Sequence, residues 1–166
     1  MRRFKKSLTT TALMLAVLSY NVARAGDGKL TLIHIGDIHG HLVPRPNVRS
    51  DSTGDMEGGL ARMATVITQI RHTATRKNNG SLLINTGDTV QGSGEALFTR
   101  GQALIDVVNM LGIDVDAPGN WDFLYGPARF EETFKGTTTT PPLANWHAEA
   151  SNLYTPPNST TLPSAL

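Results

Sequence analysis

Three short stretches of this sequence end in a glycine followed by residues able to hold a metal. Asp37-Ile38-His39 follows Gly36, Asp88 follows Gly87, and Asn120 follows Gly119. Two carboxylates, an imidazole and a carboxamide suit Mn, Fe, Zn or Mg better than a soft metal. A carboxylate can also bridge two ions, which then clamp the attacking and leaving oxygens of a displacement. Each stretch is weak by itself. D-x-H triplets arise by chance, and Gly-Asp is a common turn in which Asp88 would serve only the backbone. Their weight comes from order and placement, and so from the elements that carry them.

Those elements alternate along the chain. "KLTLIHIG" (29–36) is a β-branched apolar run closed by glycine, which predicts a buried strand, and "SLLINTG" (81–87) predicts a second. "IDVDAPGN" (113–120) predicts a third. Between the first two, Leu60, Met63, Ala64, Ile67 and Ile70 fall at helical spacing, with an end expected in "RKNNG". "QALIDVVNMLG" (102–112) predicts a second helix stopped by Gly112. "GPARFEETFKG" predicts a third, with Pro127 allowed in its first turn. The Pro- and Gly-rich residues 39–59 read as a long surface loop, of a length more often functional than idle. "TTTTPP" reads as a linker, and "PLANW" and "ASNLY" as further short strands. Three strand–loop–helix units predict an α/β fold with a mostly parallel sheet. Such sheets take their ligands beyond the carboxyl ends of the strands, where all three stretches lie.

The ends of the chain have a different character. Residues 1–25 combine basic "MRRFKK", apolar "LTTTALMLAVL" and a small-x-small "ARA", the three parts of an export signal. The apolar part is too short to span a membrane stably, so no stable membrane anchor is expected. Arg2-Arg3-Phe4 hints at the twin-arginine route. The 166-residue chain has a net charge of +1, but residues 1–25 hold five basic residues and no acidic ones. Without them 10 basic and 14 acidic residues remain, a net charge of −4, which argues against nucleic acid as a partner. The absence of cysteine excludes thiolate metal sites and Cys nucleophiles, and with export it fits the bacterial periplasm. Expected boundaries are therefore a signal over 1–25, a domain over 26–154, and a tail without periodicity over 155–166.

"LIHIGDIHGHL", "GGLARMATVI", "LLINTGDTVQGS", "ALIDVVNMLGIDVDAPGN" and "ASNLY" together resemble successive blocks of the calcineurin-like metallophosphoesterases, above all the bacterial 5'-nucleotidase branch. The resemblance runs from about Leu30 to Tyr154. It implies a four-layer α/β/β/α sandwich, of which only the N-terminal half is present, built around two divalent ions. By position, Asp37 and His39 would bind the first ion, Asp88 would bridge both, and Asn120 would bind the second. The implied reaction is hydrolysis of a small phosphate ester, a nucleotide in this branch, by metal-activated hydroxide attacking phosphorus in line.

The resemblance breaks in two places. The family's third block continues Gly-Asn with a His, and in 5'-nucleotidases a later Asp completes an acid–base dyad. Here Trp121 and Leu124 stand in those positions. An indole N–H can donate a hydrogen bond but cannot transfer a proton. Trp121 therefore reads as a wall beside the site or as a substrate contact. "TRGQ" and "WDFLYG" are similar to the thiosulfohydrolase of bacterial sulfur oxidation, a two-manganese branch that cleaves sulfate from a carrier-protein cysteine adduct. Tyr125 could supply a donor hydroxyl or simply pack at the strand end. His41 reads as an outer partner of the site or a loop residue sooner than as a metal ligand, and His34 as a core or sheet-face histidine. Gly58-Gly59 reads as an anion-facing helix start or a tight turn. The second break is that three further His ligands of the family have no counterpart after Asn120, where His147 matches neither of its motifs. An inactive fragment is thus a third reading beside the two hydrolases.

Overall fold

The computed structural model describes residues 28–47 and 54–153. The expected signal, Tyr154 and the tail lie outside the described residues.

The central sheet has three parallel strands in the order β1 (Leu30–Ile35), β4 (Gly80–Asn85), β5 (Val115–Asp116). A second, antiparallel pair, β2 (Arg45–Pro46) and β3 (Met56–Glu57), lies within the loop expected over residues 39–59. Leu30 pairs with Gly80 and Ile35 with Asn85, while Ile84 and Asn85 pair with Val115 and Asp116. Helix α1 (Leu60–Arg76) links β1 to β4, and α2 (Gly94–Thr99) and α3 (Gln102–Val108) link β4 to β5. Parallel strands need such crossovers, and crossovers of one hand running in one direction put their helices on one face. Arg71 of α1 accordingly donates to the carbonyls of Leu111 and Gly112 just after α3, at 2.7 and 2.5 Å.

That arrangement explains the alternation of burial. Ile33, Ile35, Leu83, Asn85 and Asp116 are buried beneath the helices, joined by Leu60 and Ile67 of α1 and Leu104, Ile105 and Val108 of α3. Met63, Ala64 and Ile70 pack partly against the same core. The other face exposes Leu30, Leu32, His34, Leu82 and Val115. His34 is thus a sheet-face residue, with Nε2 3.1 Å from Thr86 Oγ1.

Several expected boundaries change. The helix expected over 102–112 ends at Val108, and tight turns carry the chain to Gly112, whose φ is +64°. The third strand shrinks to two residues because Pro118 and Gly119 turn the chain away. Residues 120–123 form a 3-10 turn before helix α4 (Pro127–Phe134), which begins with Pro127 as expected. "PLANW" forms no strand; the next parallel pairing is Asp116 with Ala148, where Glu149 N–H donates to the Asp116 carbonyl at 2.8 Å. The described part of "ASNLY" is a turn and loop. At Gly58-Gly59 the Leu60 N–H is already bonded to the Leu42 carbonyl, and Pro44 packs against Gly59, so the glycines make a tight turn.

Leu83 is fully buried in the middle strand, under α1. Leu83→Ala is expected to lower the unfolding free energy by about 2–5 kcal/mol. Urea denaturation of the two chains at equal pH measures the difference.

Candidate metal centre

The chain continues its parallel pairing past the strand ends. Thr86 N–H donates to the Ile35 carbonyl at 3.0 Å, Asp37 N–H to Gly87 at 3.0 Å and His39 N–H to Asp88 at 2.8 Å. The turns carrying Asp37-Ile38-His39 and Asp88 therefore run side by side. Asp37, His39 and Asp88 all have positive φ, 52°, 44° and 53°, and they are three of five such non-glycine residues among those described. Asp and His are among the few types that tolerate this region. Strained backbone of this kind clusters at functional sites.

The third turn closes on the second almost backbone to backbone. A Cβ at Gly87 would overlap the Gly119 amide nitrogen, and one at Gly119 would overlap Asp88 Oδ1. Trp121 N–H donates to Asp88 Oδ1 at 2.8 Å, while Asp88 Oδ2 lies 3.7 Å from His39 Nε2. Asp37 Oδ1 stands 3.5 Å from the same nitrogen. Asn120 opens the 3-10 turn beside them, exposed, rather than ending a strand.

This donor set fits a divalent ion. One ligand atom from each of Asp37, His39 and Asp88 falls within 4.8 Å of the others. Ligands bonded to one ion at about 2.0–2.2 Å lie roughly 3–4 Å from one another. Among the described residues no Lys or Arg pairs with Asp37 or Asp88. His39 Nδ1 is buried without a hydrogen-bond partner, so Nε2 is the ring nitrogen facing the carboxylates. Two neighbouring carboxylates and one imidazole hold more negative than positive charge, which a cation would balance.

The remaining candidates separate clearly. His41 is exposed and its Nδ1 donates to the Ile38 carbonyl at 2.8 Å, a local bond within its own turn. Trp121 is 38% exposed and sets its indole against His39, with centroids 4.7 Å apart and planes at 79°. The indole packs against the imidazole and stays partly open to solvent. Tyr125 is turned away, its hydroxyl donating to the Ala96 carbonyl of α2 at 2.6 Å. Burial pushes that phenol's pKa up, so the hydroxyl keeps its proton. Leu124 is exposed and offers no polar group.

Two buried acids have surroundings that the sequence does not show. Asp122 is buried between the second and third turns, where its carboxylate accepts from Asp88 and Gly119 N–H, and its place two residues after Asn120 is the sequence signal that points to it. Asp116 is buried beside Asn85, whose amide donates to Asp116 Oδ1 at 2.5 Å and to Thr89 Oγ1 at 2.8 Å. Burial, and then the negative charge of Asp122, raise the Asp116 pKa from 3.8 to about 7, with the Asn85 amide pulling the other way.

A sequence pattern described as calcineurin-like phosphoesterase matches residues 30–161. The snake venom 5'-nucleotidase of Gloydius brevicauda is 34% identical over 105 residues, which are 63% of this chain and 17% of that protein. The 5'-nucleotidase of Bos taurus is 32% identical over 113 residues, 67% of this chain and 19% of that one. The trifunctional nucleotide phosphoesterase of Bacillus subtilis (strain 168) is 31% identical over 124 residues, 73% of this chain and 7% of that one. The chain thus spans less than a fifth of the length of these relatives. Among solved structures, a Staphylococcus aureus protein assigned as a 5'-nucleotidase superposes with TM-score 0.58 at 25% identity, over 75% of this chain and 23% of that one. The sulfate thiohydrolase SoxB of Thermus thermophilus superposes with TM-score 0.56 at 20% identity, over 69% and 32%.

Asp116 makes stability depend on pH. Its folded pKa lies above its unfolded value, so the protonated form is favoured in the fold. Its contribution is fully present below about pH 4 and is lost as pH rises towards about 7, at no more than about 1.4 kcal/mol per pH unit. Asp116→Asn is expected to flatten that decline, as measured by chemical denaturation at a series of pH values with a chelator present.

Proposed function

Because this chain belongs to the calcineurin-like phosphoesterase family, we propose that it carries the metal-binding part of a hydrolase of the 5'-nucleotidase type, acting on small phosphate esters and on nucleotides in particular. The observation that carries this reading is the convergence of Asp37, His39 and Asp88 on one point beyond the strand ends. In the proposed assignment Asp37 and His39 hold a first divalent ion, Asp88 bridges to a second, and Asn120 helps hold that second ion. Ions bound there would supply an activated hydroxide and neutralise charge on the phosphoryl oxygens.

The chain's own side chains support this chemistry unevenly. Asp88 is oriented by the Trp121 N–H, which turns Oδ2 towards His39. Trp121 has no proton to transfer, so a leaving group must depart with its charge or take a proton from water. Substrates with stable leaving groups fit that limit. This is the observation that favours a second reading, a thiosulfohydrolase-like enzyme using the same metal site on a sulfur-containing substrate. We further propose export, to the periplasm in a bacterial cell. The support is the signal-like composition of residues 1–25. Among the described residues no helix is long and apolar enough to cross a membrane.

Two measurements test the reading. Titration of the intact chain with Mn²⁺ should show binding that Asp88→Asn weakens by more than the roughly 10–100-fold typical of losing an outer partner. Unchanged metal content in that variant would sink the bridging role. With Mn²⁺ present, faster turnover of AMP than of a thiosulfonate supports the nucleotidase, and the reverse preference supports the sulfur substrate. Turnover of neither, with less than one ion bound per chain, supports an incomplete and inactive centre.

A further inference from the structure

Asp122 is only 3% exposed, and no Lys, Arg or His among the described residues pairs with it. A buried carboxylate needs compensation, and here it comes entirely from backbone. Oδ1 accepts the N–H groups of Thr89 and Val90 at 2.9 and 3.2 Å. Oδ2 accepts those of Asp88 and Gly119 at 2.8 and 3.0 Å. Three consecutive amides of the second turn thus point at one side chain of the third. Successive N–H groups aimed inward make an anion-binding concavity. In this protein the anion filling it is a carboxylate of the same chain.

The bland account is that Asp122 caps its own 3-10 turn through Gly119. That explains one bond of the four. The other three reach residues 32–34 positions earlier in the chain. In the opposite direction, Trp121 N–H holds Asp88 Oδ1. The second and third turns are therefore clasped twice, with Asp88 and Asn120 on either side of the clasp.

We propose that Asp122 is a positioning residue for the metal centre, fixing the Asp88 turn against the Asn120 turn so that both side chains face one ion-binding point. The proposal rests on the metal-hydrolase reading above. It requires a carboxylate, because four donors need acceptors on both oxygens. An asparagine of the same size would turn an NH₂ group against one pair of N–H groups, leaving that pair without acceptors.

The test uses the intact chain, with Asp122→Asn and the conservative Asp122→Glu. Free Mn²⁺ is counted by electron paramagnetic resonance. Amide hydrogen exchange at Asp88, Thr89, Val90 and Gly119 is followed without metal. The expected result for Asp122→Asn is roughly 10–100-fold weaker Mn²⁺ binding with far-ultraviolet circular dichroism unchanged, and faster exchange confined to those four amides. Asp122→Glu, which keeps both oxygens, should bind Mn²⁺ more tightly than Asp122→Asn. Affinity within about twofold of the parent in Asp122→Asn, with the four amides still protected, overturns the proposal. Equal loss in both variants with global unfolding also overturns it, since the role is then one of general stability. If the parent itself binds no Mn²⁺, the metal reading fails. The clasp is then judged on exchange alone: unaltered protection in Asp122→Asn overturns it, and locally lost protection supports it.

Discussion

Parallel pairing between β1 and β4 is the constraint on which the rest of the site depends. Parallel strands present the same ends to the same edge, so whatever follows one strand lies beside whatever follows its neighbour. In this protein the register does not stop at Ile35 and Asn85; it continues through hydrogen bonds from Asp37 to Gly87 and from His39 to Asp88. The imidazole and the second carboxylate come within a few ångströms because their backbones are already bonded. A one-residue slip of either strand would turn that strand's side chains to the opposite face. Helices α1 and α3 bury the aliphatic side of this ladder, and that packing holds the register.

The third turn is held by different means. β5 contributes only two residues, too few to aim a side chain by pairing alone. Close backbone contact between Gly87 and Gly119, together with the Asp122 and Trp121 hydrogen bonds, takes over that task. Asp116, buried beneath the helices, has its pKa raised by that burial and then by the negative charge of Asp122. Trp121 adds a T-shaped ring contact with His39 to the same junction.

Much of this was legible in the sequence, for reasons that differ by element. β1, α1 and β4 were readable because β-branched runs and a 3.6-residue stripe encode local burial directly. Asp37 and Asp88 stood out because each follows a glycine at a strand end, and His39 because it completes the D-x-H triplet that Asp37 opens. Helix α2 was missed because it is a single short segment whose Leu97 and Phe98 are exposed, leaving no apolar stripe to detect. Tyr125 was ambiguous because its partner, the Ala96 carbonyl, belongs to that unseen helix. The part Asp122 plays could not be read: its four partners are amides, which every residue but proline possesses, so the sequence carries no trace of their convergence.

The left-handed backbone at Asp37, His39 and Asp88 has a consequence for how such a chain can drift under mutation. Glycine, asparagine, aspartate and histidine tolerate that conformation best, while β-branched and bulky residues are strained there. The fold thus narrows the usable alphabet at three positions to a few letters, most of which carry an oxygen or nitrogen donor. Of the residues this backbone accepts most readily, all but glycine keep a polar side chain at the mouth of the site.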